Sequence, residues 1–159
     1  MRSKLFIGMI AVVALLSSCN EGEAYYRFHA VNNNHWSKQA AVDFLLDSLS
    51  VAPDRKYDVV LEIVNNNLYP YRDIWLLVEQ NLTDTAFVND TVEVKLAGLQ
   101  GKWLGAGSAG LYQVSVPYKT SVSLDSARAY RIRIRHAMKE TSLKGIEKVG
   151  VLVKRLEGG

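Results

Sequence analysis

The sequence predicts an all-β protein, an antiparallel β-sandwich of jelly-roll or immunoglobulin-like form. Three observations carry that expectation. Short runs alternate apolar and polar residues with period two, the pattern of a strand buried on one face. Clusters of Asn, Gly, Pro and Asp separate these runs. Beyond residue 18 no convincing long helical stripe occurs, so two packed sheets are the simplest way to bury the apolar faces.

Tyr25 to Val31 alternates as a first strand, with Tyr26, Phe28 and Ala30 on one side and Tyr25, Arg27 and His29 on the other; Asn32, Asn33 and Asn34 end it as a turn. The next stretch, Trp36 to Ser50, fits two patterns. Ala41, Phe44, Leu45, Ser48 and Leu49 suit a helix, whereas Val42, Phe44 and Leu46 suit a strand, which is the reading adopted. Pro53 and Asp54 form a turn. Tyr57, Val59, Leu61 and Ile63 then alternate before Asn65, Asn66 and Asn67. Tyr69, Pro70, Tyr71 and Arg72 make an aromatic corner, and Ile74 to Gln80 is apolar enough to predict a strand covered on both faces.

Val92, Val94 and Leu96 alternate with Glu93 and Lys95 and predict a shared buried face. Gly98 to Gly110 is a glycine-dense loop. Leu111 to Val116 resumes the alternation and Pro117 is expected to stop it. Tyr130, Ile132, Ile134, His136 and Met138 lie opposite Arg131, Arg133 and Arg135, one inner face against one basic face. Gly145 opens the last turn, and Val149 to Val153 closes the sandwich. Seven or eight strands are expected, with no internal repeat.

The amino terminus speaks to location. Arg2 and Lys4 precede an apolar run, Leu5 to Leu16, of about 12 residues, within the range of a signal-peptide core and short of the roughly 20 that span a bilayer. Leu16, Ser17, Ser18 and Cys19 resemble the bacterial lipobox. Residues 1–18 are therefore read as a lipoprotein signal peptide, Cys19 as the lipidated first residue of the mature chain, and 19–24 as a tether. Residues 25–159 form one domain. Two or three acyl chains anchor a protein stably where one does not. Glu21 and Glu23 resemble the acidic export signal of surface lipoproteins in the Bacteroidetes.

Without Arg2 and Lys4, 17 of the 19 Lys and Arg face 16 Asp and Glu, so the basic character is partly that of the signal peptide and points to no nucleic-acid partner. Cys19 is the chain's single cysteine. Its lipidation leaves no disulfide, catalytic thiol or cysteine metal site.

Several motifs invite chemistry. Gly105, Gly107 and Gly110 spell a dinucleotide-type glycine pattern, and Ser108 lies in a near nucleophile elbow, but both need a following helix where an alternating strand is predicted. His29, His35 and His136 lack metal-ligand spacing, and His136 falls among inward positions as a structural histidine. The arginine stripe reads as a solvated sheet face. No metal and no cofactor are expected. Asp47-Ser48-Leu49, Asp84-Thr85-Ala86, Asp90-Thr91-Val92 and Asp125-Ser126-Ala127 resemble the O-glycosylation tripeptide of the Bacteroidetes, which makes Ser48, Thr85, Thr91 and Ser126 candidate acceptors; Asp followed by Ser or Thr is equally good turn chemistry. In Gln100 to Gly105, Trp103 either caps the sandwich or, with Lys102 and Leu104, binds a partner.

Taken together, the lipobox at Cys19, the segment Leu68 to Leu76, the run Gln100 to Gly105 and Gly145-Ile146 followed by Val149-Gly150-Val151 resemble the GldH family of gliding motility lipoproteins of the Bacteroidetes. The resemblance implies a lipid-anchored outer-membrane β-sandwich associated with gliding and related secretion, working through envelope protein partners. It implies no catalytic residues. A glycan-binding module is the alternative. That would need exposed aromatics on one concave face, so the placement of Trp36, Trp75 and Trp103 discriminates the two; an enzyme ranks third, since no acid/base pair stands out.

Overall fold

A computed structural model describes residues 22–31, 35–47 and 49–157, and all their regular secondary structure is β. The strands are β1 (Glu23–Ala30), β2 (His35–Ser37), β3 (Val42–Leu45), β4 (Lys56–Asn66), β5 (Asp73–Gln80), β6 (Val88–Lys95), β7 (Ala106–Ser108), β8 (Leu111–Ser123), β9 (Arg131–His136), β10 (Ser142–Lys144) and β11 (Ile146–Arg155). Every pairing is antiparallel. A five-stranded sheet runs β1-β11-β4-β8-β7, a four-stranded sheet β3-β9-β5-β6, and β10 with β2 forms a small ribbon.

The two larger sheets enclose one core. Tyr57, Val59, Leu61 and Ile63 of β4 and Val149, Val151 and Val153 of β11 share a buried cluster with Ile74, Leu76 and Val78 of β5 and Ile132 and Ile134 of β9. Period-two alternation alone assigns these faces. Val94 and Leu96 are fully buried on the face predicted for them, with Val92 packed against it in part.

Where expectation and structure part, topology is the reason. The described residues form more strands than seven or eight, because the stretch from Trp36 to Ser50 divides between β2, which leaves the main sheets for β10, and β3, which joins β9, and because the three-residue strands β7 and β10 are too short to show a period. β5 is not covered on both faces. Ile74, Leu76, Val78 and Gln80 are buried, but Trp75 is 41% exposed. An antiparallel sheet in a sandwich needs only its core face covered.

Nor does Pro117 stop its strand. β8 continues to Ser123 because β7 pairs only with Leu111 to Gln113, leaving the far side of Pro117 free, and the β4 partner register skips Tyr118 between Pro117 and Lys119. A strand tolerates proline at such an edge or bulge. Asn65 and Asn66 belong to β4 as well, Asn65 fully buried between Ile146 and Tyr112. The turn comes one step later, where Asn66 Oδ1 accepts from the Leu68 amide at 2.8 Å. The glycine-dense loop contains β7 and a bridge between Ala97 and Trp103. The Asn32 to Asn34 turn and Ser48 lie outside the described residues, as does Cys19.

His136 takes the structural place expected of it. Its Nε2–H donates to the Trp36 carbonyl at 3.1 Å, while the buried Nδ1 has no partner among the described residues. Burial pushes the imidazole below its ordinary value, against the opposing pull of the Trp36 carbonyl. A depressed folded-state value means that folding favours the neutral ring. The stabilisation is therefore complete above an unfolded value of about 6.5 and is lost as pH falls toward the lower folded one. The melting temperature should drop between about pH 7 and pH 5 by more in the wild type than in His136→Gln. Equal drops would remove His136 from the acid response.

Candidate functional site

The sandwich has two unlike ends. At one, Arg155 N–H donates to the Gly22 carbonyl at 2.7 Å and Leu156 N–H to that of Lys56 at 2.8 Å, so the chain enters the domain here. The 46–52 and 124–130 loops meet at this end, where Leu46 N–H donates to the Tyr130 carbonyl, and the Arg128 guanidinium reaches the Asn81 and Asp84 carbonyls.

The opposite end gathers the glycine-dense loop, the Asn67-Leu68 turn and the connection after β9. Leu96 and Ala97 amides both donate to the Arg72 carbonyl, and Asn66 N–H donates to that of Gly145 at 2.9 Å. Trp103 is half-buried; its Nε1–H donates to Asn67 Oδ1 at 2.9 Å and its ring lies 5.7 Å from that of Tyr112. The indole thus stitches the loop to the neighbouring turn. Its sequence neighbours point outward, Leu104 57% exposed and Lys102 exposed beside it. Leu99 is 90% and Leu68 68% exposed. Leu99 and Leu104 line one shallow depression with Arg72. Leucines this bare leave apolar surface in water at this end, surface that would gain by being covered.

Leu68, Leu99 and Arg72 were not singled out from the sequence as contact residues. The available signal was a leucine set inside turn residues, Asn67-Leu68 and Gly98-Leu99, where strand periodicity gives it no buried face.

A family model described as GldH lipoprotein matches residues 23–153. The chain belongs to the GldH lipoprotein family. Relatives of this GldH chain include a gliding motility lipoprotein GldH homolog of Christiangramia forsetii, 29% identical over 153 residues with 92% of each protein covered. Another is the gliding motility lipoprotein GldH of Flavobacterium johnsoniae, 26% identical over 155 residues, covering 92% of this chain and 94% of the relative. Neither name denotes an enzyme. Membership of a lipoprotein family carries membrane attachment with it, and among the described residues no helix is long and apolar enough to cross a bilayer.

The remaining sequence candidates of this GldH chain are dispersed. Arg131 and Arg133 both bond to Asp43, at 2.9 and 3.1 Å, and Arg133 also to Glu79, so this face is an ion-pair ladder. Trp36 is buried, Trp75 projects from the four-stranded sheet and Trp103 packs on Tyr112 of the five-stranded one. They form no common platform for a sugar. Thr85, Thr91 and Ser126 are exposed. Asp84 and Asp125 accept from the Ala86 and Ala127 amides, two residues on, as turn formers do. Ser108 opens a tight β7–β8 hairpin with no helix after it. Among the described residues no three His, Cys, Asp or Glu assemble as a metal site.

Proposed function

We propose that this protein is a non-enzymatic component of the outer membrane, anchored through lipid on Cys19, that serves the gliding and secretion machinery by binding an envelope protein partner. The observation that carries the reading is the separation of the two ends. Gly22, three residues after Cys19, enters beside Tyr57 and Arg155, whereas the bare leucines stand at the far end of β4 and β11. Ten residues of extended β11 measure about 33 Å, so the anchor holds one end at the bilayer while the leucine tip projects. Lys102 and Leu104 belong to that tip, and Trp103 supports it from behind.

Separation of envelopes on a density gradient tests the anchor. The wild-type chain should band with outer membrane, and Cys19→Ser should move it to the soluble periplasm. Wild-type protein in the inner-membrane band, or an unmoved Cys19→Ser, overturns the reading.

A further inference from the structure

The tip is not only apolar. The segments that build or flank it, 67–73, 93–110 and 135–148, carry seven Lys and Arg against four Asp and Glu, whereas those at the entry end, 46–58, 81–90, 119–129 and 154–157, carry six against seven. The charge is thus concentrated where the leucines are. The carboxylates near it are already engaged. Asp73 and Glu93 share Lys95, Glu140 accepts from the Tyr71 hydroxyl, and Glu147 accepts from Asn66. Among the described residues the side chains of Arg72, Lys102 and Lys144 make no ion pair or hydrogen bond.

We infer that the tip docks on an acidic protein surface, its leucines entering an apolar depression while Arg72, Lys102 and Lys144 face Asp and Glu side chains around the rim. The inference rests on the contact reading above and names the chemistry of the partner. Unpaired cations around an apolar centre reject basic partners and speed the approach of acidic ones, while the centre supplies most of the affinity. Arg72 lines the depression with Leu99 and Leu104, and Lys144 precedes Gly145, whose backbone lies against that of Leu68 and Tyr69, so both cations stand at the leucine end. An anionic bilayer would also attract such a surface. The anchored end places the tip away from the membrane that holds Cys19, which favours a protein.

The chain's single cysteine is the anchor, so Leu99→Cys adds one addressable thiol. Full-length lipidated protein carrying a benzophenone label there would be added to native envelopes, irradiated, and the attached peptide sequenced by mass spectrometry. The expected product is one protein, joined at a segment rich in Asp and Glu. Lys102→Glu, or Arg72→Glu if the first variant melts early, should cut its yield at least about tenfold, and reversing one acid of the partner segment to Lys should restore it. Raising salt should lower the yield in the wild type more than in the charge-reversed protein. Attachment to a segment without acids, attachment to lipid, or a yield indifferent to charge reversal overturns the acidic partner. Absence of any protein product from Leu99→Cys and from a Leu104→Cys probe would overturn the contact reading itself.

Discussion

Gly145→Ala should lower stability by about 3 to 5 kcal/mol, a fall in melting temperature on the order of 10 °C or more. Gly145 has φ of +77°, and a Cβ there would lie 2.2 Å from the Tyr69 nitrogen and 2.7 Å from its Cα. Backbone atoms on both sides leave nothing flexible to move aside, because Asn66 is bonded to the Gly145 carbonyl and Tyr69 is buried with its hydroxyl on the Asp73 carbonyl. Gly101 supplies the control. Its φ is +79°, but a Cβ there meets nothing within 4 Å. Gly101→Ala should therefore cost about 1 kcal/mol, the left-handed conformation alone. Similar losses at the two positions, measured by urea denaturation, would show that the clash is relieved.

The second large effect falls on Trp36. Its side chain is fully buried, donates from Nε1 to the Ala40 carbonyl at 2.9 Å, and meets the His136 ring edge-on at 5.5 Å. Trp36→Ala should cost about 3 to 5 kcal/mol through the cavity left by the fully buried ring. Trp75→Ala should cost under about 1 kcal/mol, since that ring is already partly in water. The same denaturation experiment compares them, and a loss at Trp75 matching that at Trp36 would mean the outer sheet face is covered in solution.

The contrast between these tryptophans shows where sequence reasoning reaches and where it stops. β4, β6 and β9 were legible because each is long enough to show period two on its core face, so Tyr57, Val59, Leu61 and Ile63 name their own face. β2 and β10 were not, because three residues are too few for a period and their partner is about 100 positions away. Pro117 misled because an edge with a bulge obeys other rules than a strand paired on both sides. For the site, the contiguous loop Gln100 to Gly110 could be picked out by its glycines and tryptophan. Leu68, Arg72 and Lys144 reach the same end only through the antiparallel crossings of β4, β5, β10 and β11, which no local pattern encodes.

The separated ends have a mechanical consequence under the proposed anchoring. β1 begins at the entry end and runs toward the tip, paired along its length with β11 from Glu23–Lys154 to Ala30–Lys148. A pull between a membrane-held Cys19 and a partner held at the tip acts along the strand axes. The β1–β11 hydrogen bonds are then loaded side by side, in shear, and must yield together instead of opening one after another from an end. The rate of such forced opening, more than equilibrium stability, sets how long the protein carries a load. Under that anchoring the fold suits a tension-bearing link between a bilayer and the proposed partner.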